Sequence, residues 1–301
     1  MTNSDFRGCY TAIVTPFTAD GSAIDWDAFE ALVEAQIAAR IDGIVFVGTT
    51  GESPTLTHEE HDAVIRWSMQ TVRGRCKVIV GTGSNSTAEA LHFAQMAQAA
   101  KVDAQLVVSP YYNKPTQEGL YQHFTRIADE TEVPIILYNI QGRCGVNIQT
   151  DTLLRLVAHP RIIGVKEASG NIMQMMEVIG RTPEEFYVFS GDDEITLPLT
   201  ACGGDGVISV ASNVIPHSLR RMVHEALAGN FAEARRLHYA LTPIMQAGFL
   251  ETNPIPIKEM LALQGKISTG FRLPMTRAGE ATMRQLEQLI PKIAETERLY
   301  A

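Results

Sequence analysis

No run of apolar residues in the 301-residue chain approaches the roughly 18 needed to cross a bilayer as a helix, so no membrane partner is expected. The chain opens Met-Thr-Asn-Ser-Asp-Phe-Arg-Gly, without the basic start, apolar stretch and small-residue cleavage site of a secretory signal; a cytoplasmic location is expected. Four cysteines, Cys9, Cys76, Cys144 and Cys202, stand far apart with no Cys-x-x-Cys pair, which argues against a zinc site and a thioredoxin-type motif and for reduced, mostly buried thiols. His58-Glu-Glu-His61 is not His-Glu-x-x-His, and no third ligand follows at a useful distance, so no metal is expected. The formal charge of −9 is spread along the chain and no stripe of lysine and arginine is available to neutralise a row of phosphates, which excludes nucleic acid as an expected partner. No segment of low complexity and no glycine- and serine-rich linker interrupts the sequence.

What is present is ordinary globular material, 45% hydrophobic and 20% charged, enough for a sizeable core. Eight β-branched runs recur, beginning at Thr11, Gly43, Lys77, Ala104, Pro134, Ile162, Phe186 and Gly206, each followed by a stretch with helical spacing. Their near-continuous hydrophobicity suits strands buried on both faces. Thr57-x-x-Glu60 and Ser86-x-x-Glu89 read as capping boxes at helix starts, and Phe29, Leu32, Val33 and Ile37 mark the core stripe of the first helix. The pattern predicts an α/β fold, a (β/α)8 TIM barrel, with a doubly wound open sheet as the alternative; no strand leads into Gly-x-Gly-x-x-Gly. After Asn213 the strand signal stops. Helices are expected over residues 216–229, 232–246, 256–263 and 277 to the end, giving a catalytic barrel over 1–229 and a small C-terminal helical domain over 230–301 packed directly on it.

In such barrels the site lies at the C-terminal ends of the strands. The polar residues there are Thr15, Thr49, Thr50, Thr82, Ser109, Tyr111, Tyr112, Tyr138, Asn139, Lys166, Glu167, Ser190, Asp192 and Ser209. Lys166 follows Ile162-Ile-Gly-Val and should project among apolar layers, where desolvation lowers its pKa. A lysine that is partly neutral near pH 7 is a nucleophile suited to imine formation with a ketone; a structural lysine paired with Glu167 or another carboxylate is the competing reading. Tyr138 ends the preceding strand and is placed either to relay protons or to anchor the interior. Gly48-Thr-Thr-Gly-Glu-Ser53 can turn tightly and present N–H groups to a carboxylate, and without the lysine of a phosphate-binding loop it is otherwise an ordinary turn. Arg143 lies in a glycine-bearing loop, either solvated or holding a substrate carboxylate through its two-pronged guanidinium.

Taken together, Ala12-Ile-Val-Thr-Pro-Phe17, Gly48-Thr-Thr-Gly-Glu-Ser53, Ser109-Pro-Tyr-Tyr-Asn-Lys-Pro115, Leu137-Tyr-Asn139, Gly164-Val-Lys-Glu-Ala-Ser-Gly170, Ser190-Gly-Asp-Asp193, Gly203-Gly-Asp-Gly-Val-Ile-Ser209 and Asn253-Pro-Ile-Pro-Ile-Lys258 resemble the dihydrodipicolinate synthase and N-acetylneuraminate lyase family, on its synthase side. The resemblance implies a Schiff-base lyase of lysine and diaminopimelate biosynthesis that needs no cofactor and joins pyruvate to L-aspartate 4-semialdehyde to form 4-hydroxy-tetrahydrodipicolinate. It implies Lys166 as the imine lysine, Tyr138, Thr49 and Tyr112 as the proton relay, with Tyr112 from a neighbouring subunit, and Thr50, Arg143, Gly191 and Ile208 as substrate-binding positions. A homotetramer built as a dimer of dimers is implied, as is an allosteric L-lysine site at Ser53, His58, His61, Asn85, Glu89 and Tyr111. Arg143 is the family's mark of a synthase. The family usually has proline at the position of Gln141, threonine at Cys144 and often alanine at Pro54. Another aldolase or dehydratase of the family acting on a different 2-oxo acid, and a non-catalytic pyruvate or lysine binder, are the other two readings.

Overall fold

The computed structural model describes residues 5–300; the chain start read above for a secretory signal, residues 1–4, and Ala301 lie outside them. Eight parallel strands, β1 (Gly8–Ala12), β2 (Gly43–Phe46), β3 (Lys77–Gly81), β4 (Ala104–Val108), β5 (Ile135–Asn139), β6 (Ile162–Glu167), β7 (Tyr187–Ser190) and β8 (Gly206–Ser209), close into a barrel in sequence order, β8 pairing back onto β1. The open-sheet alternative is thereby excluded. Helices return the chain between strands: α1 (Trp26–Ala38), α2 (His58–Val72), α3 (Thr87–Ala100), α4 (Gln117–Asp129), the short α5 (Gln141–Cys144), α6 (Thr150–Val157), α7 (Ile172–Arg181) and α8 (Thr196–Ala201). Four more follow β8, namely α9 (Pro216–Leu227), α10 (Phe231–Ala247), α11 (Ile255–Leu263) and α12 (Glu280–Tyr300). Among the described residues no helix is long and apolar enough to cross a membrane.

Alternation along the strands divides the core into two layers. Tyr10, Val45, Ile79, Leu106, Ile136, Tyr138, Phe189 and Ile208 fill the barrel interior, while Leu137, Val165 and Val188 point outward against the helices. Strand register therefore decides which face a polar residue occupies. Lys166 pairs with Tyr138 on β5 and Phe189 on β7, so it shares their inward direction; Glu167 and Asn139, one residue further on, face the helices.

Three local expectations change. The first strand begins at Gly8, not Thr11, and leaves the ladder after Ala12. Beyond it, Ile13 N still donates to Val45 O at 3.1 Å, but Val14 N turns to the Asn213 side chain and Pro16 has no N–H to offer. Thr57 forms the complete capping box with Glu60, whereas Ser86 makes only half of one: its hydroxyl accepts from Glu89 N, and the Glu89 carboxylate goes instead to Ser84 and His58. On α1, Phe29, Leu32 and Val33 are buried as expected, but the next buried position is Gln36, whose amide accepts from Thr11 and donates to Ser212 O. The four cysteines are free thiols, Cys9 and Cys144 buried and Cys202 exposed.

The C-terminal helices are tied to the barrel mouth by a buried ion pair. Lys258 on α11 donates to Glu52 Oε1 at 2.5 Å, both side chains 1% exposed, and the ammonium also lies over the rings of Phe17 (4.4 Å) and Phe271 (4.7 Å). Removing one partner leaves the other charge buried alone. Lys258→Met should therefore destabilise the fold by about 3–5 kcal/mol, whereas Glu52→Leu combined with Lys258→Met should recover most of that loss. Urea unfolding of the two variants checks this; equal losses would show that the pair's charge is not what matters.

Candidate active site

A cavity of about 440 Å³ opens at the C-terminal ends of the strands, within the usual range for a small-molecule site. Lys166 reaches it from β6 with 5% of its surface exposed, and its Nζ lies 4.3 Å from the centre of the Tyr138 ring. Burial pulls the ammonium's pKa down to about 8; the field of Asp193 opposes this and that of Arg143 adds to it. The competing structural reading required a carboxylate partner. Glu167 is not one: it faces outward and accepts from Asn139 Nδ2 at 2.9 Å and from Ser169 Oγ at 2.8 Å. A buried amine with no carboxylate in contact and a pKa lowered to about 8 has a far larger neutral, nucleophilic fraction at neutral pH than a lysine in water.

The backbone around this amine is shaped to admit it. A Cβ built on Gly191 would sit 2.7 Å from Ala168 Cβ and 3.0 Å from Lys166 Cε, so the lysine stem passes where only glycine leaves room. Tyr138 is buried, which raises its phenol pKa; the charge of Arg143 and the neighbouring Thr49 hydroxyl act the other way. The phenol thus remains protonated at neutral pH, with a hydroxyl neighbour through which a proton can pass.

The turn after β2 supplies the second wall. Val47, at φ +48°, and Glu52, at φ +53°, take left-handed conformations that bend Gly48–Ser53 across the mouth, a strained arrangement of the kind found at binding sites. Thr15 Oγ1 donates to Gly51 O at 2.7 Å beneath it. The turn is closed from the C-terminal side by Asn253, whose Nδ2 donates to Thr50 Oγ1 at 2.9 Å. Arg143, carried by α5, donates from Nη2 to the Asn253 carbonyl at 3.1 Å. Its guanidinium therefore faces the cavity and is not a free loop arginine.

Lys166, Tyr138, Thr49, Thr50, Arg143 and Gly191 all line this cavity. Ile208 is buried within the barrel core and does not line it. Tyr112, in a left-handed conformation at φ +72°, is 90% exposed and stands clear of its own chain's cavity. Ser53, His58, Glu89 and Tyr111 line the outer part of the same cavity. His61 lies beneath them, stacked on Phe93 at 4.2 Å, its pKa lowered by burial to about 4, and Asn85 offers its backbone carbonyl to Asn113. The remaining polar residues at strand ends serve the scaffold: Thr82 donates to Gln105, Ser109 to Tyr138 O, and Ser190 to Asp192 O.

Two residues stand out that strand-end reasoning did not mark. Asp193, not Asp192, is the carboxylate whose field reaches Lys166; it is buried, and its Oδ2 accepts from Val210 N and Ala211 N. Asn253 joins Thr50 to Arg143. Among the described residues no group of three or more histidine, cysteine, aspartate or glutamate side chains is placed to hold a metal ion.

A model of the Dihydrodipicolinate synthetase family matches residues 5–293. The 4-hydroxy-tetrahydrodipicolinate synthase of Koribacter versatilis is 51% identical over 284 residues, 94% of each chain. Among solved structures, the 4-hydroxy-tetrahydrodipicolinate synthase of Methylacidiphilum fumariolicum SolV superposes with a TM-score of 0.95 at 45% identity, covering 99% of this chain and 100% of its own. The chloride-inhibited dihydrodipicolinate synthase of Acinetobacter baumannii, complexed with pyruvate, gives 0.94 at 41% identity over 96% of this chain and 99% of its own. The enzyme of Cyanidioschyzon merolae with lysine bound gives 0.93 at 39% over 97% and 99%. With this barrel, this cavity and these matches along nearly its whole length, the chain belongs to the dihydrodipicolinate synthetase family.

Proposed function

We propose that this chain is a 4-hydroxy-tetrahydrodipicolinate synthase that holds pyruvate as an imine on Lys166 and condenses it with L-aspartate 4-semialdehyde. The observation that carries the reading is the buried amine of Lys166, without a carboxylate partner and against the Tyr138 ring. Relatives named for this activity at about half identity over nearly the whole chain, and the pyruvate complex of the A. baumannii enzyme, support it.

In the proposed reaction the neutral amine adds to C2 of pyruvate, and loss of water from the carbinolamine gives the iminium. Tyr138 and Thr49 pass protons to and from these species, joined by Tyr112 of a neighbouring subunit in a dimer of dimers; the outward stance of Tyr112 suits that role. Thr50 and the N–H groups of the turn hold the pyruvate carboxylate. Loss of a C3 proton yields the enamine, which attacks the aldehyde carbon and leaves a hydroxyl there. The amino group of the former semialdehyde then displaces Lys166 from the iminium carbon, closing the ring and freeing the enzyme. Arg143 holds the semialdehyde carboxylate. The substrate imine itself serves as electron sink, so no cofactor is needed, and the enzyme works in the cytoplasm on the route to diaminopimelate and lysine.

L-Lysine is the proposed feedback ligand of the outer cavity. The Ser84 hydrogen bond, which outweighs the opposing effect of burial, and the His58 contact hold the Glu89 carboxyl below its usual range. It is thus a ready partner for an ammonium group beside Ser53, His58 and Tyr111, with His61 and Asn85 behind. The lysine complex of the C. merolae enzyme supports L-lysine as the ligand.

The imine lysine, the arginine and the outer cavity each have an expected experimental outcome. Pyruvate with cyanoborohydride should add mass to the wild type but not to Lys166→Ala. The trapping rate should rise roughly tenfold per pH unit and level off near pH 8, because only the deprotonated amine attacks. Asp193→Asn removes the charge that favours the ammonium and should move that midpoint down; a midpoint unmoved, or one near the free-lysine value, removes the electrostatic account. Arg143→Ala should lower kcat/KM for the semialdehyde by at least about 100-fold, as expected for loss of a charge-assisted contact of roughly 3 kcal/mol, while pyruvate trapping persists; a coupled assay with both substrates decides. L-Lysine should inhibit that assay at millimolar concentrations or below, and Glu89→Gln should weaken the inhibition; a flat titration would sink the effector assignment.

A further inference from the structure

We propose that Asn253 is a positioning residue for the pyruvate carboxylate, acting through Thr50: its side-chain amide donates to the threonine oxygen so that the threonine's proton is left for the substrate. This rests on the imine reading of the site.

A threonine hydroxyl has one proton to give and two lone pairs to offer. A carboxylate needs a donor, so a hydroxyl that spends its proton on a neighbouring acceptor presents a lone pair to the anion and repels it. At Thr50 the neighbour is a donor: Asn253 Nδ2 lies 2.9 Å from Oγ1, and both side chains are almost wholly buried in the cavity wall. Asn253 Oδ1 has no hydrogen-bond partner among the protein atoms, and towards Thr50 the amide acts as the donor. With the amide reversed, the oxygen would take the threonine proton and the site would lose its donor.

The same residue touches the second substrate's arginine, but through its backbone: Arg143 Nη2 donates to the Asn253 carbonyl at 3.1 Å. Side chain and main chain therefore serve different substrates. Their common anchorage is the Glu52–Lys258 ion pair, which pins the Gly48–Ser53 turn to the segment leading from Asn253 into α11 and fixes the register of the Thr50–Asn253 bond. Nothing in a change of side chain at position 253 removes the carbonyl that Arg143 uses.

Asn253→Asp keeps the shape and reverses the polarity: a carboxylate accepts from Thr50 and adds a negative charge near the substrate's. The KM for pyruvate, and the pyruvate concentration that half-saturates imine trapping, should rise about tenfold or more, the worth of one charge-assisted hydrogen bond. The KM for the semialdehyde should stay within about twofold, with kcat at saturating pyruvate largely kept. Asn253→Ala should raise the pyruvate KM less, and in a double-mutant cycle it should add nothing to Thr50→Val if it acts only through that hydroxyl. The proposal is overturned by an Asn253→Asp enzyme with wild-type pyruvate KM, by equal shifts in both KM values, or by an Asn253→Ala effect that adds in full to Thr50→Val. The cycle stands even where Asn253→Asp does not fold. A wild type that traps pyruvate but fails to use the semialdehyde would instead count against the proposed second substrate, and the trapping readout would still test Asn253.

Discussion

Everything in this site depends on an amine kept out of water without a counter-ion at its side. Desolvation costs an ammonium far more than a neutral amine, so the barrel interior itself lowers the pKa of Lys166. The geometry that achieves this is strict. Lys166 must point inward, which the pairing with Tyr138 and Phe189 enforces; its stem must pass the next loop, which Gly191 permits; and the carboxylate nearest in sequence, Glu167, must be turned to the other face and occupied by Asn139 and Ser169. Asp193 supplies a field from a distance, without a direct ion pair. That arrangement favours a positively charged iminium without fully restoring the charge on the free amine.

The molecule contains an internal comparison. Lys258 is as thoroughly buried as Lys166, and burial lowers its pKa too. Yet Lys258 has Glu52 at 2.5 Å and two aromatic faces around its ammonium, all of which stabilise the charged form. It is a fastener. Burial alone therefore does not make a nucleophile; an aromatic face lies over both ammonium groups, and what separates the two lysines is the carboxylate in direct contact with Lys258. The fastener matters to the nucleophile's site nonetheless, because Glu52 belongs to the same turn as Thr49 and Thr50.

The eight strands and the inward lysine were legible because a buried parallel sheet writes near-continuous β-branched runs and alternation fixes the face of each residue. The same alternation explains what strand-end reasoning misplaced. Asn139 and Glu167 are polar and stand at strand ends, but they are one residue out of phase with Tyr138 and Lys166 and bond to the outer layer. Asp193 lies past the end of β7, where period two no longer applies, so the choice between it and Asp192 could not be made from spacing. Asn253 was beyond reach for another reason: it meets Thr50 across 203 positions of chain, and no local pattern carries that contact. Glu89 shows a subtler failure. Its spacing from Ser86 is that of a capping box, but Ser84 and His58 outcompete the helix N-terminus for its carboxylate, and that diversion is what brings its charge to the outer cavity.

The turn from Gly48 to Ser53 carries the two functions proposed for this cavity within six residues. Thr49, Thr50 and Ser53 all line the cavity, the first two proposed to serve pyruvate and the last the outer ligand, and Glu52 between them is pinned by Lys258. A ligand pressing on Ser53 thus meets a clamped segment whose inner end is held by the Asn253 amide. If L-lysine binds there as proposed, opening of the whole loop would expose a buried ion pair, which leaves a shift of the Thr50 hydroxyl relative to that amide as the less costly route to the pyruvate site. By linkage the effect must run both ways: pyruvate seated on Thr50 must change the affinity of the outer site by the same factor that the outer ligand changes pyruvate's.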